Sequence, residues 1–543
     1  MTLTLRPFVD VAPIPDGVYF SGPTSQFVMK GWSGLYQVAS VCVKLLAGGA
    51  TEPELVAVFG TPKVEPVVRR ILHGLSEHGM LLTEKDAGDL GAAPRGAAGH
   101  ALAFLEAVSS EPHGAFERLR GGKLAVRGLP ASGAAVVATL LEIGFSQVSC
   151  SESDGDLDVD GVLCCVARPE ELSGITLPGA AETLVVPVLL GDVLRVAGPA
   201  VSRKDLPTVA EIWKRADRWR RDGTAPDAEV ADAFALGFAG HLLFDALAGL
   251  ATGTFAVVHG HQPAVDRPAY TPRAVIEPSA RLRLESVDSA EVAVPQVLAA
   301  VVDMSKEWTG LFASGPGEKT LPQVPLALRE IELREGPSRE NVASWGPDQE
   351  AATLVIAVDG VRLMGAAPAG LTAERWLLDG VLRLLADEAE YTGDSTDAMC
   401  DADGRRVRRA LAVSGVGELQ LKVSALPGVD WPMVSAHDED GAMLAAAWAE
   451  DERGAGFEAL ATVLASRQVS AAGQAATMSR LRTGRLVYGD PERISRLRAQ
   501  LCDYLAASGR RAEGRPSGSD PVLGQLPFWT GSVQLVPAEG VCR

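Results

Sequence analysis

Hydrophobic and polar positions alternate in short runs at the start of the chain and then switch to helical spacing. Val18-Tyr19-Phe20 follows the turn Asp16-Gly17, and Gln26-Phe27-Val28-Met29-Lys30 follows Gly22-Pro23, so both read as strands, the second ended by Gly31. Beyond Ser33, which suits an N-cap, Leu35, Val38, Ala39, Val41, Cys42 and Leu45 recur on one helical face up to Gly48-Gly49. Thr51 with Glu54 is a capping-box signature for a second helix. After Pro62, the residues Val64, Val67, Val68, Ile71, Leu72 and Leu75 predict a third helix, stopped by Gly79. These six cover more of a helix than one buried stripe requires. Val68, Leu72 and Leu75 are assigned to the core, and Val64, Val67 and Ile71 to the side nearer the Gln26–Lys30 strand. Two strands, three helices and a hydrophobic edge within residues 1–85 predict a small winged helix-turn-helix domain.

The pattern then changes. Residues 85–99 read as a linker and Ala101–Val108 as a short helix. Leu124-Ala125-Val126, a turn through Gly128, Ser132 and Gly133, the apolar helix Ala134–Ile143 and the strand beginning Ser146-Gln147-Val148 form a βαβ unit of doubly wound type. Its turn places Pro130 where backbone N–H groups would meet a phosphate, and proline has none. Cys150-Ser151, not an acidic residue, ends the second strand. Asp154, Asp156, Asp158 and Asp160 read as a solvated acidic loop. Gly161–Val166, Thr183–Leu190 and Phe255–Val258 are strand candidates, and Val230–Leu250 is a long apolar helix in which His241 reads as a packed residue. Residues 86–265 thus predict a degenerate Rossmann-like domain. Pro268, Pro272 and Pro278 mark a boundary, and residues 266–543 read as an α+β domain. Within it, Ala352–Met364 is assigned to a strand pair turning at Asp359-Gly360. Trp376, Leu377, Val381, Leu382, Leu384 and Leu385 predict an amphipathic helix, with Glu374, Asp379, Asp387 and Glu388 on a solvated face, and residues 511–520 read as a loop.

Length sharpens this picture: 543 residues exceed what one core usually organises, so the expectation is an α/β multidomain protein of two to four domains. A net charge of −19 argues against nucleic acid and anionic membranes as general partners. The seven cysteines form no C-x-x-C pair, and Cys164-Cys165 lies in an apolar run that suits buried thiols. No apolar run follows Arg6 and no stretch of about 18 apolar residues stands out, so a cytoplasmic protein is expected. There is no G-x-S-x-G elbow, P-loop or H-E-x-x-H motif, and His259 with His261 is only an i, i+2 pair. No catalytic, metal-binding or cofactor-binding residue is assigned.

Three groups of phrases bear a family resemblance. DGVYFSG, FVMKG and LLAGGATEPEL resemble the leader-recognition element of enzymes that modify ribosomally made peptides. The βαβ unit from Lys123 resembles the opening of the adenylating domain of the ubiquitin-activating and thiamine-biosynthesis (ThiF-like) family. TGLFASGPGEKTLPQVPLA and PAGLTAERWLLDGVLRLLADEA resemble a region found after that domain in azole-forming maturation proteins, a reduced YcaO-type cyclodehydratase domain. The resemblance implies that a precursor leader adds a strand beside Gln26, Phe27, Val28, Met29 and Lys30 and packs on the third helix at Val64, Val67, Val68 and Ile71. It also implies a non-catalytic subunit serving a separate YcaO-type cyclodehydratase, which uses ATP and magnesium to form thiazoline or oxazoline rings in thiopeptide-like pathways. No cofactor is expected in this chain, and a homodimer is left open. The competing readings are an ATP-dependent adenylating enzyme and a winged-helix DNA-binding regulator. Residues 1–85 carry seven Lys/Arg against seven Asp/Glu, a neutral balance unlike the basic face of a DNA reader.

Overall fold

The computed structural model describes residues 2–82, 94–128, 134–143, 145, 147–150, 158–175, 177, 180, 182–219, 227–250, 253–260, 264–270, 281–335, 338–395 and 402–538. The chain divides into two compact units, residues 1–213 with 220–271, and residues 214–219 with 272–543.

The first unit begins with strands β1 (Thr4–Leu5), β2 (Asp10–Ile14), β3 (Gly17–Ser21) and β4 (Gln26–Lys30). Helices α1 (Leu35–Leu46), α2 (Glu52–Val58) and α3 (Glu65–Glu77) follow, and then β5 (Leu81–Leu82) pairs with β1. The two strands and three helices foreseen in the sequence are present. The extra strand β2 pairs with β3 along its whole length, giving a sheet of order β2-β3-β4. The Thr51–Glu54 capping box forms at α2, whereas α1 is preceded by Gly34 and has no side-chain cap, correcting the assignment of Ser33. Val18, Phe20, Met29, Leu35, Ala39, Val68, Ile71 and Leu75 share one buried core. Arg6 donates to the carbonyls of Glu106 and Ser109 at 2.7 and 2.6 Å, tying this element to the next helix pair, α4 (Ala97–Val108) and α5 (Pro112–Gly121).

The remainder of the unit is β6 (Lys123–Arg127), α6 (Ala134–Ile143), β7 (Gln147–Cys150), β8 (Gly161–Val166), β9 (Leu184–Leu190), β10 (Arg195–Ala197), β11 (Val201–Ser202), α7 (Leu206–Arg218, of which residues 214–218 are counted with the second unit), α8 (Ala228–Ala248), β12 (Ala256–His259) and β13 (Ala264–Asp266). The sheet runs β13-β12-β10-β9-β8-β6-β7, with β11 attached to β9. β7, β6, β8 and β9 are parallel and the rest antiparallel. All six residues of β8 are buried, as its unbroken apolar run requires for a strand covered on both faces. Burial pushes the thiols of Cys164 and Cys165 up to about 12, so both are inert buried groups. α8 is the one helix among the described residues long and apolar enough to cross a membrane, yet Ala235, Leu236, Ala239, Leu242 and Leu243 bury it in the core of this unit. The turn carrying Pro130 and the loop from Asp154 to Asp156 lie outside the described residues.

The second unit opens with β14 (Leu282–Arg283), α9 (Val294–Met304), β15 (Phe312–Ser314), β16 (Ala327–Glu335), β17 (Ser338–Gly346), α10 (Gln349–Gly365), β18 (Ala369–Gly370) and α11 (Ala373–Leu384). It continues through β19 (Glu390–Asp394), α12 (Ala402–Val413), β20 (Gln420–Ala425), β21 (Met433–His437), β22 (Met443–Trp448), α13 (Glu452–Ala471), β23 (Leu481–Arg482), α14 (Arg485–Tyr488), α15 (Pro491–Ala507), β24 (Arg510–Pro516) and β25 (Trp529–Pro537). Its sheets run β14-β24-β25-β18, β15-β16-β17 and β19-β20-β21-β22-β23. Two expectations are corrected. Residues 352–364 lie in the helix α10, capped by Asp348, and Leu354 to Val361 are all buried. Much of the expected loop at residues 511–520 is β24, paired with β25 from Arg510 opposite Pro537 to Pro516 opposite Gly531.

Gly128 follows β6 with φ +65°, and a Cβ there would stand 2.3 Å from the Cys165 carbonyl oxygen. Gly128→Ala should therefore cost at least about 1–2 kcal/mol through the left-handed backbone alone. Urea unfolding measures it, and an unchanged midpoint would contradict this close approach.

Candidate functional site

β4 is an edge strand: it pairs with β3 on one side and with nothing on the other among the described residues. The Gly22 N–H donates to the Ser25 carbonyl and the Gly31 N–H to the Asp16 carbonyl, both at 2.9 Å. In an antiparallel ladder this phase makes Phe20–Phe27 and Val18–Met29 the hydrogen-bonded pairs. The N–H and C=O groups of Gln26, Val28 and Lys30 therefore point away from β3, along the free edge. Their side chains are exposed, Val28 at 50%.

The other β4 side chains turn inward onto α3. Phe27 is sandwiched between Phe20 and His78, with ring centroids 4.6 and 4.4 Å apart and planes within 7°. Gly74 is the position on α3 that admits this ring, because a Cβ there would sit 2.9 Å from it. The Ser25 hydroxyl donates to the His78 carbonyl at 2.6 Å, fastening the start of β4 to the end of α3. On α3 and the turn before it, Val64 and Val67 are half-buried, while Val68 and Ile71 are fully buried. The core assignment holds for Val68, Leu72 and Leu75, and Val64 and Val67 are half-buried. The placement of Ile71 nearer the strand is corrected, since its side chain belongs to the core with Leu55 and Phe20. Met29, at 6% exposure, is likewise core. The accessible rim of the strand is thus Gln26, Val28 and Lys30, with Phe27 half-buried against Gly74 and His78 of α3, while Val64 and Val67 are half-buried at the start of that helix.

The second unit holds a different concentration of polar groups. Asp379 on α11 is 1% exposed and receives Arg362 Nε at 3.2 Å, Arg383 Nε at 3.0 Å, the Thr483 hydroxyl at 2.6 Å and the Ala369 N–H at 3.1 Å. Burial alone would raise its pKa, but the two guanidinium charges and the two donors together hold it below the usual carboxylate value. Asp359 accepts from Arg362 and from the Ser344 hydroxyl, and Arg482 donates to Ser344 Oγ at 2.8 Å while lying 4.6 Å over the Trp345 ring. Glu458, fully buried, is met by Arg485 at 3.1 Å and by the Tyr488 hydroxyl. Glu374 accepts from the Ser289 hydroxyl at 2.9 Å and pairs with Arg498 at 3.3 Å. The expectation that Glu374, Asp379, Asp387 and Glu388 form a solvated face is therefore corrected: Glu374 and Asp379 are buried, and only Asp387 and Glu388 lie at the surface. Among the described residues no group of three His, Cys, Asp or Glu side chains is arranged to hold a metal ion. His259 pairs with Asp266 at 2.8 Å, and His261 lies outside the described residues.

No family model matches the chain, and no curated protein matches it in sequence. Solved structures do. A heterocyclase in complex with substrate and cofactor is 10% identical, with a TM-score of 0.58 over 98% of this chain and 94% of the other. The heterocyclase TruD is 11% identical, with a TM-score of 0.52 over the same shares. E. coli MccB with AMPCPP and MccA is 10% identical and spans 50% of this chain and 97% of its own, at a TM-score of 0.36 that carries no weight for the fold. The chain is thus a mixed α/β multidomain protein with the fold of known heterocyclases.

Replacing Asp379 by Ala should destabilise the protein by about 3–5 kcal/mol, because Arg383 would remain buried without its carboxylate partner and Arg362 would keep only Asp359. The depressed carboxyl also sets a pH dependence. Its stabilisation is complete above the ordinary carboxyl value of about 3.9 and disappears as pH falls through the lower folded-state value. Melting of the wild type and Asp379→Ala across that range measures both effects, and a neutral substitution would contradict the buried pairing.

Proposed function

We propose that this chain captures the leader of a ribosomally made precursor peptide on the β4 edge and presents its core to a separate YcaO-type cyclodehydratase, which uses ATP and magnesium to form thiazoline or oxazoline rings. The observation that carries the reading is the free β4 edge, with three outward-facing residues lying beside α3. An extended peptide would bond to the main chain of Gln26, Val28 and Lys30, and its inward side chains would meet Phe27, Val64 and Val67. The heterocyclase-like fold supports the setting, since one of the similar structures was solved with a substrate. The neutral charge of residues 1–85 supports a peptide over DNA.

The same fold similarity supports a second reading, in which the chain itself is an ATP-dependent ring-forming or adenylating enzyme. The buried carboxylates favour the first. Asp359, Asp379 and Glu458 are each paired with arginine, so binding a magnesium–nucleotide complex there would require breaking buried ion pairs. In this reading the leader groove raises the effective concentration of the peptide core at the partner's site, and the chain supplies position rather than bond-making groups.

Two measurements test this. Val28→Pro removes an outward N–H at the centre of β4 while the bonds to β3 through Phe27 and Met29 remain. Val67→Asp sets a charge against apolar peptide side chains and should weaken leader binding by about 1–3 kcal/mol. Both variants should lose affinity for a leader encoded beside this gene with little change in melting. Unchanged affinity in folded variants would place the peptide elsewhere. Calorimetry of the full chain with ATP and magnesium should show no binding, and stoichiometric binding would favour the enzyme reading.

A further inference from the structure

In the second unit, α13 carries a line of hydroxyl side chains. Thr462, Ser466 and Ser470 recur every four residues and so share one face of the helix. They line a cleft of about 440 Å³ together with Arg467, and the segment after the helix adds Ser479 and Arg480. Met443, Leu444 and Met478 give it an apolar wall. The wall is fixed in place. The Thr477 N–H donates to the Asn341 carbonyl at 2.7 Å, the Thr477 carbonyl accepts the Ala343 N–H at 2.9 Å, and the Arg480 carbonyl accepts the Ala446 N–H at 2.8 Å. The Trp345 indole N–H holds the Thr462 hydroxyl at 3.0 Å. A ligand would therefore meet a surface already ordered, which lowers the cost of binding.

The charge of this cleft is one-sided. The chain has 69 Asp and Glu against 50 Lys and Arg, yet among the described residues no carboxylate lines it. Elsewhere in the unit Arg362, Arg383, Arg482 and Arg485 are each paired with Asp or Glu. Arg467 and Arg480 have no such partner among the described residues, and a shortage of acids is not the reason. Ser470 and Ser479 donate to the carbonyls of Ser466 and Leu481, each at 2.9 Å, whereas the Ser466 hydroxyl is left free to donate. We infer that this cleft binds a phosphate monoester. Two guanidinium groups match the two charges that such a group carries above about pH 6, and their planar forks suit pairs of phosphate oxygens. A single carboxylate would leave one arginine unmatched. The cavity is larger than a bare ion needs and fits a small organic body, around which the flexible thioether chains of Met443 and Met478 adapt. With no lining carboxylate to hold a metal, the anion is bound by the arginines directly.

The test is calorimetry of the full chain with phenyl phosphate and with inorganic phosphate, in buffer free of nucleotide, magnesium and leader. The expected result is one phenyl phosphate per chain, held more tightly than inorganic phosphate. Its affinity should fall as pH drops through about 6, where the probe loses its second charge. Arg467→Gln and Arg480→Gln should each weaken binding by about tenfold or more, as expected for hydrogen bonds to a charged group. Arg408→Gln, which removes an exposed arginine of α12 outside the cleft, should leave it unchanged. Melting of each variant confirms that it is folded. A wild type that binds neither probe overturns the inference. So does binding that survives both cleft substitutions in folded protein, or that Arg408→Gln reduces equally, since that would be general attraction to positive charge. Equal affinity for the two probes would overturn the assignment of a monoester and leave a site for inorganic phosphate alone.

Discussion

A carboxylate withdrawn from water must be matched by charge and hydrogen bonds or it will not stay ionised, and Asp379 imposes that constraint on the second unit. Its oxygens hold Arg362 from α10, Arg383 one turn further along α11, the Thr483 hydroxyl beyond β23 and the N–H that opens β18. Segments far apart in sequence converge on one side chain, and Asp359, Ser344 and Arg482 extend the network to β17. Apolar packing supplies the bulk of the stabilisation, with Trp345, Trp376 and Trp448 fully buried. Apolar contact is non-directional, whereas this network is satisfied only when helix, strand and turn arrive in one register.

The first unit applies the opposite logic at β4. Exposed strand edges invite unwanted pairing, and proteins usually cover, charge or shorten them. β4 is five residues long, has Val28 at its centre and lies beside an aromatic stack, and no strand pairs with its outer edge among the described residues. Its rigidity comes from behind. Phe27 is wedged over Gly74, and Ser25 is fastened to the end of α3. A rigid, incompletely paired edge lowers the ordering cost of accepting a strand, and this is the physical content of the peptide-capture reading.

Much of this was legible in the sequence, and the failures have identifiable causes. β3, β4 and the capping box at Thr51 show themselves through alternation and local chemistry, which need no distant partner. β2 was missed because Pro13 and exposed Asp10 break the alternation, as an outer strand permits. α10 was misread as strands because residues buried on every side leave no 3.6-residue period, and its β-branched run with Asp359-Gly360 imitates a hairpin. β24 was read as a loop because its polar residues are matched at long range: Glu513 meets Arg281 and Arg283, and Gly514 makes room for Trp376. Ile71 was misplaced because helical spacing identifies an apolar face without saying what lies opposite it. Asp379 was assigned to a solvated face because its i, i+4 partner Arg383 is local but its other partners, Arg362 and Thr483, are distant in sequence and nothing local announced them.

The contrast between the two units bears on what a heterocyclase-like fold can do. Fold similarity at 10–11% identity leaves the chemistry to the residues present. A carboxylate can bind a cation or act as a base only if its lone pairs are free, and those of Asp379 are held by two guanidinium groups, a hydroxyl and an amide. Releasing them would uncover buried positive charge as well as a carboxylate, so a passing ligand would have to replace the whole set at once. The main-chain groups of Gln26, Val28 and Lys30 face no such barrier, because strand addition leaves every existing bond of β3 and β4 in place. Under the peptide-capture reading, the ion pairs of Asp359, Asp379 and Glu458 withhold those carboxylates from a ligand, and the capacity to bind lies where the backbone of β4 is incompletely paired.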